Sequence, residues 1–310
     1  MKPAQTCLLS PIETESSIVH PEIINNHPTR LTYPPARALI NLEVLNYMIH
    51  NPVIDTLLNR KSIRNFKEEQ PTDEVLQTIV RAGQQAPFAY QLCSILLSRK
   101  ADQNPFNAPL LFTICVDAHR FELIMAHRNW QMGSNDLSLM LLGIQDAALL
   151  AENMVIAAEC LGLGSCFLGA TPYFAEKIIQ EYKLPRRVFP LVGLAMGYPA
   201  ENPPTRPRYP LEFTLFEDEY PQFDEAAIQK AMQVMDEGYL AQDYYRKANY
   251  IIPLKGEKLE TYTFDNYSWT EHISRKLGLW QKSANGILAA FEKCGFQLPK
   301  YDEEALNHED

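Results

Sequence analysis

The sequence predicts an α+β fold, with helices flanking a handful of strands instead of alternating with them. Three observations carry this reading. Apolar residues recur at helical spacing in several segments, above all in a long run from Asp136 to Leu161. Short apolar stretches bounded by turn residues mark strands at Ser94 to Ser98, Leu110 to Val116 and Pro190 to Gly197. No regular strand–helix–strand order links them.

Residues 1–40 are rich in Pro, Thr, Asn and Glu without periodicity and read as an irregular arm. Leu42, Leu45, Met48, Ile49, Val53, Ile54, Leu57 and Leu58 then recur at helical spacing, and Pro52 is expected to break the run into two short pieces. The basic pentapeptide Arg60-Lys61-Ser62-Ile63-Arg64 follows as a loop. Thr72 is the expected N-cap of a helix burying Val75, Leu76, Ile79 and Val80, and Ala86-Pro87 closes the next segment. Asp136 is a candidate cap for the long helix.

Within that helix Gln145, Glu152 and Glu159 are spaced by seven, with Asp146 and Asn153 beside them. Seven residues are nearly two whole turns, so these groups form one narrow polar stripe. The rest of the circumference is apolar or small, which calls for burial in a large core or in a subunit interface; periodicity does not separate the two. The embedded charges argue against a membrane span. Gly162-Leu163-Gly164 reads as a helix C-terminal turn into a short extended run, and Tyr198 to Pro210 as a proline-stiffened loop. Helices are expected from Ala226 to Gly238, Thr270 to Gly278 and Ser283 to Gly295. The organisation is an arm at 1–40, one domain at 41–297 and an acidic tail at 298–310.

Composition narrows the function. A net charge of −10 argues against nucleic acid or an anionic membrane as partner. The six cysteines form no C-x-x-C pair and mostly sit among apolar neighbours, which suits reduced thiols in a cytoplasmic protein; Cys93 is the one candidate for a reactive thiol. The N-terminus lacks an apolar core of signal-peptide length, so secretion is not expected. The seven histidines show no ligand spacing, which leaves a metal centre unsupported.

Against that acidic background the pentapeptide is unexpected. Three cations and a hydroxyl in five residues suit a phosphate monoester, and Arg206-Pro207-Arg208 offers a second cationic cluster for the same phosphate. There is no G-x-G-x-x-G, Walker A or G-x-S-x-G motif, and no convincing acid, base or nucleophile set. Asp117-Ala118-His119-Arg120 reads as a strand-end turn with a structural ion pair. An enzyme built this way leaves its chemistry to a bound cofactor.

In order and spacing, the chain resembles the FMN-dependent nitroreductase family. The landmarks are Arg60-Lys61-Ser62-Ile63-Arg64-Asn65-Phe66, Ala86-Pro87, Ala108-Pro109 before a strand ending in Asp117, Asn153 through Leu163-Gly164, Gly197-Tyr198-Pro199 and Arg206-Pro207-Arg208. Gln242-Asp243-Tyr244-Tyr245, Ser268 to Ile273 and Ala290 to Phe296 resemble the subgroup of oxygen-insensitive NADPH nitroreductases and luminescence-linked flavin reductases. The resemblance implies a three-layer sandwich around a mostly antiparallel sheet, in an intertwined homodimer with FMN between subunits. It implies that Arg60, Lys61, Ser62, Arg206 and Arg208 hold the FMN phosphate. Arg64 would lie at the pyrimidine edge, and Leu168 and Gly169 would bring their backbone close to the reactive N5 side. Pro87, Phe88, Ala89 and Gln91 complete the implied FMN site. Here the chain departs from the family's Ser-Ser-x-Asn-x-Gln: Gln91 stands in for the amide, and backbone N–H groups remain to hold the flavin.

The function so implied is an NAD(P)H oxidoreductase, with NADPH or NADH as donor. It would pass two electrons by a ping-pong mechanism to a small-molecule acceptor: a nitroaromatic, a quinone or a flavin. A non-catalytic FMN-binding or storage protein, or a specialised single-substrate flavoenzyme, is the alternative.

Overall fold

The computed structural model describes residues 49–254, 259–279 and 285–297. The expected arm at 1–40, the helical reading over 42–48, the helix start at Ser283 and the tail at 298–310 lie outside these. The chain divides into units Met1–Ile49 and His50–Asp310, and the architecture below is that of the second.

Its centre is a four-stranded sheet made of β1 (Cys93–Ser98), β2 (Leu110–Asp117), β3 (Gly164–Leu168) and β4 (Val188–Gly197), in the order β1-β2-β4-β3. All pairings are antiparallel. Side chains alternate across a strand, so Leu110, Phe112 and Ile114 of β2 point to one face, with Leu194 and Met196 of β4. That face packs on α2 (Asp73–Gln84) and on the long helix α4 (Asp136–Cys160), through Ile79, Ala147, Leu150, Ala151 and Met154. The opposite face, with Leu111, Thr113 and Gly193, meets α5 (Ala175–Tyr182) across a cavity of about 300 Å³. The result is the three-layer α+β sandwich the resemblance implied.

Pro190 cannot donate to a ladder, and it sits where β4 slips against β2: Ile114 pairs with Val192 but Cys115 pairs with Pro190. A bulge is the position at which a sheet accepts proline. The break expected at Pro52 is where a helix begins: α1 (Pro52–Asn59) carries this proline in its first turn. Its missing N–H costs nothing there, and the side chain of Asn51 accepts from Val53 and Ile54 N–H.

The N-cap of α4 is Asn135, whose side chain accepts from Ser138 N–H at 2.8 Å. Asp136, the expected cap, faces away from that role. Its carboxylate pairs with Arg187 at 2.6 Å and accepts from Gln297 N–H at 2.5 Å, tying the last described residues to the helix start. Thr72 caps α2 as expected. The turn at Gly162 also stands: φ is +79°, and Leu163 N–H returns to the Ala158 carbonyl at 2.9 Å.

By length and composition α4 could cross a membrane, but half of its apolar window is buried within the fold. The core reading of this helix holds on one face only. One face is core; along another, Leu137, Leu141, Ile144, Ala148 and Leu149 are exposed. The remaining helices are α3 (His119–His127), α6 (Glu225–Ala241), α7 (Tyr244–Lys247), α8 (Trp269–Gly278) and α9 (Asn285–Lys293). Met235, Tyr239, Tyr245 and Tyr267 form a separate small core under α6 to α8.

Candidate functional site

The basic pentapeptide is an extended ribbon beside β3, not a free loop. Ile63 N–H donates to the Ser165 carbonyl at 2.9 Å, Ser62 and Ser165 form a parallel bridge, and Phe66 bridges Pro199. Ile63 is buried and anchors the ribbon against Gly164. A Cβ at Gly164 would lie 2.4 Å from Ile63 Cγ1, so glycine is what lets the ribbon approach. With Ile63 inward, its neighbours Ser62 and Arg64 point the other way.

The stretch after β4 fastens the ribbon from outside. One carboxylate oxygen of Glu201 accepts from Arg64 N–H at 2.5 Å and Asn65 N–H at 3.0 Å. Lys61 Nζ donates to Asn202 Oδ1 at 2.5 Å. Neither Glu201 nor Asn202 carries a local sequence signal; their role exists only because β4 delivers them beside the ribbon. The Ser62 hydroxyl reaches the Cys166 thiol, which burial holds protonated. Arg60 differs from its neighbours: its Nη1 is buried with no partner. A buried guanidinium donor left unpaired costs free energy unless something fills the gap, and an anion such as a phosphate suits it.

The distal cations are placed otherwise. Arg206 Nη1 donates to Gln242 Oε1 at 2.6 Å and its guanidinium lies 4.2 Å over the Tyr244 ring. Arg208 Nη1 donates to the carbonyls of Arg206 and Pro207, both at 3.0 Å. Among the described residues no hydrogen bond or ion pair links Arg206 or Arg208 to the 60–64 ribbon. Within this chain it is residues 198–202 of the same loop that meet the ribbon. Arg246, on α7 next to the Tyr244-Tyr245 pair, pairs with Asp265 and Asp243.

The loop Pro87 to Leu92 is clamped by Asp146, a residue only 2% exposed. Ala89 N–H donates to its Oδ1 at 2.6 Å; Tyr90 and Leu92 N–H donate to Oδ2 at 3.2 and 2.8 Å. These backbone donors were expected to be available to a flavin, and they are already engaged. Arg120 grips the other polarity, donating to the carbonyls of Gln91 and Cys93 while its Nε pairs with Asp117 at 3.0 Å. The ion pair expected at this strand end therefore also positions the loop. Gln91 takes a positive φ of 57°, and Phe88 and Tyr90 remain 55% and 57% exposed. A cavity of about 500 Å³ opens beside them, lined by Gln84, Pro87, Phe88, Gln91, Cys93 and Arg120 among others. Burial, reinforced by Asp146, pushes the Cys93 thiol up, so it is not the reactive thiolate considered from sequence.

Leu168 and Gly169 lie at the end of β3, the strand the ribbon borders. Among the described residues, no heavy atom beyond its immediate chain neighbours lies within 4 Å of a Cβ built on Gly169. The space the resemblance reserves for a ligand there is open. The loop, by contrast, is remote from the ribbon. Asp146, which holds the loop, and Glu159, which feels the charges of Arg60 and Lys61, are 13 positions apart on α4, roughly 20 Å at 1.5 Å per residue. Pro87, Phe88, Ala89 and Gln91 thus do not converge with Arg60, Lys61, Ser62 and Arg64 within one chain.

The Nitroreductase family model matches residues 57–97 and 96–198. The FMN reductase (NAD(P)H) of Bacillus subtilis strain 168 is 30% identical over 203 residues, covering 60% of this chain and 81% of the relative. The oxygen-insensitive NADPH nitroreductase of Salmonella typhimurium is 28% identical over 241 residues, 73% of this chain and 91% of the relative. Among solved structures, NfrA2 of B. megaterium superposes with a TM-score of 0.68 at 25% identity, covering 81% of this chain and all (100%) of that one. The NADPH:FMN oxidoreductase from Vibrio harveyi, solved in complex with NAD+, gives a TM-score of 0.62 at 25% identity, over 79% and 98% of the two chains.

Proposed function

This chain belongs to the nitroreductase family and is an FMN-dependent NAD(P)H oxidoreductase; we propose that it delivers electrons in pairs, by a ping-pong cycle, to nitroaromatic, quinone or flavin acceptors. The observation that carries the reading on this chain's own residues is the buried, partnerless Nη1 of Arg60 at the head of a rigid cationic ribbon. FMN, when bound, supplies the two-electron hydride chemistry for which the protein has no side-chain machinery.

The residues have separable tasks. Arg60, Lys61 and Ser62 would hold the phosphate, joined by Arg206 and Arg208. Arg64, exposed and fixed through its backbone by Glu201, would place a cation where negative charge accumulates at the pyrimidine edge. Leu168 and Gly169 would leave room for the ring and restrict its approach to one side.

Two observations support a homodimeric site. The exposed apolar stripe of α4 suits burial against a second copy. The separation between ribbon and loop suits a site in which the loop of one subunit closes over the ribbon of the other. The cleft would then admit the nicotinamide and the acceptor in turn, in the cytoplasm, and each would compete with the other.

Absorption spectra of the purified protein test this directly. A yellow protein whose colour bleaches on anaerobic addition of NADPH or NADH, and returns with a quinone or nitroaromatic, is the expected result. Retained colour with both nucleotides would leave only a storage role. Parallel double-reciprocal plots are expected in steady state; intersecting plots would rule out the ping-pong order.

A further inference from the structure

Besides Arg60 Nη1, two more buried polar atoms lack partners in the same neighbourhood: Glu159 Oε1 and Ser165 Oγ. Glu159 lies in the last turn of α4, Ser165 is the bridge partner of Ser62, and Arg60 precedes that bridge. A cationic donor and an anionic acceptor thus lie buried close to one another, each with an unused hydrogen-bonding position. Such a pair, electrostatically coupled but not bonded, leaves the cation able to take another anion.

The charges acting on Glu159 are Arg60 and Lys61, both from the ribbon. β3 presents the Ser165 hydroxyl and the protonated Cys166 thiol. α1 presents the neutral Thr56 hydroxyl, 3.7 Å from Cys160. On α4 itself, Glu152 and Asn153 lie one to two turns back along the polar stripe. From the loop after β4, the Glu201 carboxylate is engaged by Arg64 and Asn65 N–H; Glu159 is therefore the acidic group that faces Arg60 and Lys61, two of the four cations to which the phosphate is assigned. Burial already pushes its carboxyl up, and the two cations pull it only partly back.

We propose that Glu159 is the resident counter-anion of the phosphate cradle, balancing Arg60 and Lys61 when the cradle is empty and taking up a solvent proton when a phosphate monoester arrives. The proposal rests on the FMN reading above. The balance is simple: one carboxylate and one proton become one carboxylic acid, and no bond to phosphorus changes. The protonated acid no longer repels the phosphate and gains an O–H to donate to it or to Ser165.

The sign of the pH dependence follows. Glu159 holds its proton more tightly in the complex than in the free protein, so affinity is constant below the free-protein value. It falls as pH rises through the window between the two. Ionisation of the phosphate itself, near pH ~6, acts in the opposite sense but is common to every variant.

The test is FMN binding to the protein stripped of flavin, by calorimetry at pH 8 in buffers of different ionisation enthalpy, alongside the Glu159→Gln variant and with riboflavin as a phosphate-free probe. At that pH free FMN is already a dianion. The wild type is expected to take up a measurable fraction of a proton with FMN and none with riboflavin. Glu159→Gln is expected to bind FMN roughly five- to tenfold more tightly, with the proton uptake gone and riboflavin binding unchanged. No uptake by the wild type, or FMN binding by Glu159→Gln that is equal or weaker, overturns the proposal; if that variant fails to fold, the wild-type proton count decides alone. If instead FMN binds no more tightly than riboflavin, the phosphate reading itself fails and takes the counter-anion with it.

Discussion

The 60–66 ribbon and the 87–92 loop are both irregular backbone fastened by a carboxylate from elsewhere, yet they end in opposite states. Glu201 takes two N–H groups of the ribbon near the surface; Asp146 takes three of the loop in the interior. In the ribbon the backbone is secured and a side chain, Arg60, is left wanting a partner. In the loop three backbone donors are satisfied and the two large exposed side chains, Phe88 and Tyr90, are aromatic. The first is built to receive charge. The second is built to hold apolar surface still.

This contrast can be broken at its strongest point by Asp146→Ala. Three donors would lose a buried acceptor, and at ~1–3 kcal/mol for each buried group left unsatisfied we expect roughly 3 kcal/mol or more of destabilisation. A urea titration measures it, and a loss below about 1 kcal/mol would mean that water replaces the carboxylate. Next is Arg60→Ala. A charge-assisted contact worth ~1.5–3 kcal/mol predicts FMN binding weakened roughly 10- to 150-fold with little change in the unfolding midpoint. Flavin fluorescence gives the affinity, and unchanged retention would remove Arg60 from the phosphate site.

Glu201→Ala should have a smaller effect. Its two N–H groups can turn to water, so about 1 kcal/mol of ribbon positioning, seen as roughly fivefold weaker FMN binding, is expected. An effect as large as that of Arg60→Ala would show that the ribbon has no other support. Phe88→Ala comes last. As an exposed side chain it should change stability by less than about 0.5 kcal/mol and alter kcat/KM mainly for bulky aromatic acceptors. A fall in Tm that grows on dilution would instead place Phe88 in a subunit contact.

The parts of the molecule legible in the sequence are those whose causes are local. Apolar runs between turn residues gave β2 and β4 nearly to their ends, Thr72 declared itself a cap, and the seven-residue spacing on α4 revealed a stripe that includes both Asp146 and Glu159. What escaped depended on distant partners. Asp146 meets Ala89 across 57 positions and Glu201 meets Arg64 across 137, and no spacing rule joins either pair. Asn135 outcompeted Asp136 as cap because Arg187 and Gln297, both remote in sequence, claimed the aspartate. Pro52 marks the start of a helical piece, but the cap that Asn51 supplies to it escaped the sequence reading. The basic pentapeptide is legible as a cluster of cations, but its extended form needed β3 to be seen.

The notch at Gly164 makes two distant positions behave as one heritable unit. Because the ribbon rests on that missing side chain, a lineage that acquired alanine at 164 would have to surrender volume at 63 to keep its cofactor. Sequences drifting from this one should therefore change the two together or change neither.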